Sequence, residues 1–412
     1  MPSRYHSIVM REHTSKTKLP GGVWVLGIAS LLTDVSSEMI HAVLPLFLVS
    51  SLGASTVFVG LIEGTGEAVA SCLKVVSGSV SDYFRHRKWL VVAGYGLSTC
   101  VKPLFAVAQN PFMVLIARSG DRVGKGIRSA PRDALIADLT AREMRGAAYG
   151  LRQSLDSVGA FLGPAGAIVI LIFHPDNFRL VFWLALIPAV LTVILLAVAV
   201  REPAKSAAGD EQKADRKWVS PKELGRNFWV LFVVAVIFNL GNSSDAFIIL
   251  KAKENGIENH LIPLILIVMN VAYSLCAYPA GVLSDRFSRR GLIVVSFCLY
   301  ALVYIGLALI TTPTMIWILM CFYGLYHGIS QGVMLALISD HVAERMRGTA
   351  FGFYNLGVGI SLLPASLLGG WLWKAYAPSA TFYAGSAFAL LALTVFLCAH
   401  QSISSPSQSG EN

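Results

Sequence analysis

Between Ala117 and Asp138 the chain reads ARSGDRVGKGIRSAPRDALIAD. That sets Arg118, Asp121, Arg122, Lys125, Arg128, Arg132 and Asp133 close together in a sequence that is 55% hydrophobic and only 14% charged. Positions 118, 122, 125, 129 and 132 share one face of a helix, with Asp121 and Arg128 beside it. A row of guanidinium and ammonium groups can hold carboxylates or phosphates, whether they belong to the protein or to a solute. A nucleotide-binding phosphate loop is excluded. Only three residues separate Gly120 from Gly124, and Gly126 stands where a Ser or Thr would hold magnesium.

Carboxylates are available to answer these charges. Asp34 and Glu38 are followed by His41 on nearly the same helical face, Glu63 and Glu67 stand one turn apart, and Arg152 and Asp156 form an i,i+4 pair. Carboxylates one turn apart in a poorly polar setting compete for a proton, so such a set can exchange protons as well as neutralise arginines. Asp245 aside, every intramembrane charge falls in the first half of the chain. The second half offers neutral polar and aromatic groups instead, among them Asn239, Asn242, Tyr323, His327 and Gln331.

These residues must be positioned by membrane helices. Mean hydropathy is +0.63, and runs of about 20 mainly apolar residues recur along all 412 residues. Twelve spans are expected: 22–49, 56–80, 89–108, 112–136, 147–173, 180–200, 227–250, 260–281, 292–310, 314–338, 348–372 and 380–399. If both termini are cytoplasmic, the connections on their side hold 21 Lys and Arg, against Arg179, Lys251, Lys253 and Lys374 on the other side. The positive-inside rule favours that orientation. The net charge of +9 follows from it, so no nucleic-acid partner is needed to explain it. The polar start of the chain does not read as a cleaved signal. All six cysteines fall in expected spans without paired spacing, so neither a disulfide framework nor a metal site is indicated.

The chain repeats itself. ALIADLTAREMRGAAYG (134–150) lies over ALISDHVAERMRGTAFG (336–352) at an offset of 202, with ten identical positions. With a slip of one residue, GSVSDYFRHR (78–87) lies over GVLSDRFSRR (281–290), matching Gly78 with Gly281 and Asp82 with Asp285. The organisation follows: a cytoplasmic segment 1–21, a first six-span bundle 22–200, a hydrophilic linker 201–226, a second bundle 227–399 and a tail 400–412. By the repeat, 112–136 corresponds to the apolar 314–338, so the charged stretch lies inside the membrane. Arg122 is then ~15 Å from Phe112, near the midplane. Its face cannot meet lipid and must line a watery cavity or meet carboxylates, with Asp34 and Glu38 of the first span as its expected neighbours.

Twelve spans, a six-plus-six parallel repeat, and a Gly, three residues, Asp, basic pattern after the second span of each half resemble the major facilitator superfamily over essentially the whole chain. The second copy matches that loop signature at Gly281, Asp285, Arg286, Arg289 and Arg290, with Ser288 in place of Gly. The first copy departs further, with Tyr83 for the basic residue and Arg85 for Gly. GAFLGPAGA (159–167) partly resembles the signature of the superfamily's proton-driven exporters.

The resemblance implies an all-α integral membrane protein of two pseudo-symmetric six-helix bundles, gated at Gly78, Asp82, Arg85, Gly281, Asp285, Arg286 and Arg289. It further implies a secondary transporter rather than an enzyme, driven by the proton gradient with no cofactor or metal, and working as a monomer in a bacterial inner membrane. Proton coupling is expected at Asp34, Glu38, Glu63, Glu67 and Asp156. A small polar or amphipathic solute is expected at Arg118, Arg122, Lys125, Arg128, Arg152, Asn239, Asn242, Tyr323, His327 and Gln331. Export is the leading expectation. Uptake of an organic anion, and a non-transporting receptor or scaffold, are the alternatives.

Overall fold

The computed structural model describes residues 19–84, 87–140, 144–200, 221–286, 288–343 and 346–399. The first half comprises α1 (Gly21–Leu46), which runs into a π turn at Phe47–Ser51, then α2 (Thr56–Phe84), α3 (Arg87–Val107), α4 (Pro111–Leu139), α5 (Arg145–Phe173) and α6 (Phe178–Ala199). The second half comprises α7 (Gly225–Gly241), α8 (Ala246–Glu254), α9 (Ile262–Arg286), α10 (Arg289–Leu309), α11 (Pro313–Asp340), α12 (Arg347–Ala375) and α13 (Pro378–Cys398). These are twelve membrane crossings, because α7 and α8 together make the seventh. Ten helical segments are long and apolar enough to cross a membrane by composition alone. The charge-rich α4 is not among them and owes its place to packing against α2 and α3.

Local signals explain the helix starts. Asn110 caps α4 by accepting from the Met113 amide at 3.0 Å, with Pro111 in the first turn where no donor is missed. Pro313 and Pro378 open α11 and α13 in the same way. Helices α3, α4 and α5 begin 202 residues before α10, α11 and α12, so the sequence repeat is also a structural one. It reaches down to single bonds. Arg87 bonds Asp138 at 2.5 Å and the Ala134 carbonyl at 3.2 Å, while Arg289 bonds Asp340 at 2.5 Å and the Ala336 carbonyl at 3.2 Å. Arg87 therefore matches Arg289. The slipped alignment, which lays Arg87 over Arg290, is corrected: the extra residue lies between Asp82 and Arg87.

One expected span differs. The run 227–250 is not a single helix, because the backbone leaves α-geometry from Asn242 to Asp245. Asn-Ser-Ser-Asp is a sequence of side chains that compete for backbone hydrogen bonds. Ser244 Oγ accepts from the Ala246 amide at 3.2 Å, and the Ser244 amide donates to Ser366 Oγ at 3.3 Å. Irregular backbone at membrane depth is tolerated where it is buried or lines a cavity, and this one lines a cavity.

Within the first half α1 packs on α5 and α6, α2 on α4, and α3 on α4 and α6. In the second, α9 packs on α11, α10 on α11 and α13, and α7 on α13. The halves meet along α2 with α12 and α5 with α9. On the side away from the chain ends the first of these seams is closed. There α2 presents Gly60 and Gly64 to the α12 backbone at Ser366 and Leu363, and Thr56 Oγ1 donates to the Gly370 carbonyl at 3.1 Å. Asn259 donates to Asp176 at 2.5 Å across the two halves on the same side. Nearer the chain ends, beyond Ser71 and Gly359, Lys74, Val75, Val76 and Asn355 are exposed.

Candidate functional site

A cavity of about 240 Å³ lies between the halves. From the first half, α1 brings Glu38 and His41, α2 brings Glu63 and Glu67, and α4 brings Arg122 and Lys125. From the second, the break between α7 and α8 brings Asn242, Ser243, Ser244 and Asp245, and α11 brings Tyr323 and His327. A neighbouring chamber of about 310 Å³ shares Asn242 and His327 and extends into the second half past Phe238, Asn239, Tyr326, Gln331 and Asn355.

The arginines of α4 take their counter-ions from α2. Arg118 meets Glu63 at 2.6 Å, with the side chains only 2% and 4% exposed, and Arg122 meets Glu67 at 3.0 Å. Arg122 thus pairs with Glu67, while Glu38 lines the same cavity and Asp34 does not. The cause is steric. Gly66 lets α2 lie against α4, so closely that an added Cβ would stand 3.1 Å from the Arg122 side chain. Helix α1 instead rests on α5, where a Cβ at Gly159 would lie 2.8 Å from that of Asp34, and one at Gly163 would lie 2.7 Å from that of Glu38. The glycines of GAFLGPAGA are thus seats for the two carboxylate-bearing residues of α1.

The other expected residues divide by environment. Arg118 and Arg128 are buried in helix packing and do not line the cavity. Arg128 donates to Ser98 Oγ at 2.6 Å and lies 4.5 Å over the Tyr95 ring, on the α3 side. Arg152 is bound to Asp156 at 2.9 Å, with Asp133 at 3.9 Å, apart from the cavity. Glu38 has His41 at 3.4 Å. Tyr323 donates to Asp245 at 3.0 Å and stands edge-on to His327, 4.9 Å away. Tyr273 donates to Gln331 at 3.3 Å. Asn239 donates to the Ala235 carbonyl at 2.9 Å.

Three charges stand out for what they lack. Lys125 is exposed and Asp34 half-buried, and neither side chain has a hydrogen bond or ion pair among the described residues. Among the described residues the Asp245 carboxylate accepts a hydrogen bond from Tyr323 alone. Of the expected gating residues, Arg85 lies outside the described residues, as do the side chains of Asp82, Asp285 and Arg286, while Gly78 and Gly281 fall within α2 and α9. Arg289 holds Asp340 within its own half.

Sequence reasoning assigned no role to His41 or to Asp245, although each is a charged or titratable residue within an apolar run. It also passed over Lys102 of α3, 1% exposed, which donates to Ser36 Oγ and, at 3.4 Å, to Ser37 Oγ of α1. Among the described residues no group of three or more His, Cys, Asp or Glu is placed to hold a metal ion.

Comparison with known proteins agrees with this architecture. The Major Facilitator Superfamily profile matches residues 26–252 and 246–411. An uncharacterised MFS-type transporter of Methanocaldococcus jannaschii is 32% identical over 389 residues, covering 93% of this chain and 96% of the relative. The multidrug resistance protein MdtH of Yersinia enterocolitica is 24% identical, covering 85% and 86%. Among solved structures, the nucleoside transporter NupG aligns with a TM-score of 0.77 at 12% identity, covering 92% of this chain and 99% of its own. A bacterial homolog of the human lysosomal transporter Spinster aligns at 0.75 with 16% identity, covering 93% and 97%. The match spans both halves and nearly the full length of each relative, and so the chain, a multi-pass membrane protein, belongs to the Major Facilitator Superfamily.

Proposed function

We propose that the protein is a proton-coupled exporter of a small polar or amphipathic solute, working by alternating access around the cavity between its halves. The observation that carries this reading is the asymmetry between the two sides: the halves are tied at Asp176–Asn259 and along α2–α12 on one side, whereas toward the chain ends Lys74 and Val76 of α2 and Asn355 of α12 are exposed. With both termini in the cytoplasm of a bacterial cell, as the distribution of Lys and Arg favours, this conformer faces inward, ready to load cytoplasmic solute. The similarity to a multidrug resistance protein supports the outward direction.

Asp34 is the proton carrier in this reading. It has no bonded partner, and the charges facing it are Glu38 on its own helix, Asp156 on α5, and Lys125 and Arg132 on α4. A carboxylate without a fixed counter-ion can take and give up a proton without dismantling a buried pair, whereas Glu63 and Glu67 would each strand an arginine. The test is transport in proteoliposomes. Asp34→Asn is expected to abolish accumulation driven by a pH gradient while retaining solute exchange at zero gradient. Gradient-driven accumulation at the wild-type level in Asp34→Asn would overturn the assignment.

A further inference from the structure

We infer that the solute is a zwitterion, whose anionic group meets Lys125 and whose ammonium meets Asp245, on an uncharged body that enters the adjoining chamber. This rests on the reading of the cavity as a transport site. The walls carry Glu38, Glu63, Glu67 and Asp245 against Arg122 and Lys125. Arg118 answers Glu63 from behind, Arg122 answers Glu67, and His41 stands beside Glu38. Lys125 from α4 and Asp245 from the break between α7 and α8 are then the charged wall residues with neither an ion pair nor a histidine beside them among the described residues.

A purely anionic solute would satisfy Lys125 and leave Asp245 unanswered beside a second negative charge, and a cation would do the reverse. Once the cavity closes around the solute these charges leave water, and one left unanswered is then costly. A solute with both signs answers both, through charge-assisted hydrogen bonds. Because Lys125 and Asp245 belong to opposite halves, such a solute also spans the seam. Contacts made differently in two conformers are what allow a ligand to shift the balance between them.

The body of the solute is set by the second chamber, which no Asp, Glu, Lys or Arg lines. Asn239 and Asn355 each donate their amide N–H to the carbonyl four residues earlier, at 2.9 and 2.8 Å, leaving their side-chain oxygens as acceptors. Phe238 and Tyr326 supply ring faces. This chamber suits an uncharged ring or short polar chain bearing O–H or N–H donors.

The test uses the purified full-length protein and a series on one body. L-tyrosine, glycyl-L-tyrosine and L-tyrosyl-glycyl-glycine are zwitterions of graded charge separation. Their N-acetyl derivatives are anions and their methyl esters cations. Binding is read by thermal stabilisation across a concentration range. At least one zwitterion is expected to bind ten-fold or more tightly than both of its singly charged derivatives. Lys125→Gln should then bind that zwitterion and its ester alike, and Asp245→Asn should bind it and its N-acetyl form alike. Absence of stabilisation by every zwitterion, or a singly charged form that binds as tightly as its parent, would overturn the inference. Vesicle transport separates this outcome from the broader reading: movement of a singly charged solute refutes the zwitterion and keeps the transporter, whereas no movement of any solute class refutes the transporter.

Discussion

Helices α4 and α11 occupy equivalent places in the two halves, begin 202 residues apart, and are nevertheless chemically unlike. At that offset Arg118 corresponds to Met320, Asp121 to Tyr323, Arg122 to Gly324, Lys125 to His327 and Arg128 to Ser330. What the pair shares is small residues at the packing seams. Gly126 sets α4 against Ala70 and Leu73 of α2, and Gly328 sets α11 against Cys276 and Ala277 of α9. The comparison teaches that backbone placement here depends on where side chains are absent. The chemistry is written independently in the positions between.

The comparison can be broken most severely at Arg118. Arg118→Ala strands Glu63 in a closed interior and is expected to cost on the order of 3–5 kcal/mol, enough to abolish folded yield, while Met320→Ala at the matching position should lose about 2–5 kcal/mol through a cavity alone. The double variant Arg118→Met, Glu63→Leu should recover most of the loss, read as melting temperature in detergent. No recovery would mean that the pair does more than neutralise itself.

Function should separate the halves at intermediate size. Lys125→Gln at an exposed, unpaired position is expected to leave stability, read from the melting temperature, within about 0.5 kcal/mol of wild type. The same change should weaken solute binding ten-fold or more. His327→Gln should lower binding less, because it removes a ring contact and no full charge. Equal losses in the two variants would erase the proposed division between a charged wall and a neutral one.

The smallest effects are expected where the halves are most alike. Asp138→Asn and Asp340→Asn each weaken a partly exposed arginine pair, worth about 0.2–1 kcal/mol. Their melting temperatures should fall by the same amount. Unequal shifts would show that the two copies of this bond carry different loads.

Much of this was legible in the residues. Hydropathy and the repeat placed all twelve crossings, and the matched offset carried the charge-rich α4 into the membrane despite its composition. Partner choice was not legible. Helical rise gives the depth of Arg122, and Glu38 and Glu67 sit at comparable depths, but which of them it meets depends on which neighbour lies closest, and Gly66 decides that. The break at Asn242–Asp245 was hidden because apolar runs flank it on both sides. The signal was there in four consecutive residues whose side chains compete with the helix for its own hydrogen bonds.

The seating of Asp34 and Glu38 on Gly159 and Gly163 has a mechanical side. With no side chain between them, α1 and α5 are in direct bearing at the carboxylates, and α5 also touches α9 of the other half. Helix α5 thus stands in contact both with the carboxylate-bearing residues of α1 and with the second half, so a shift of α1 at Gly159 or Gly163 would be felt at the seam with α9.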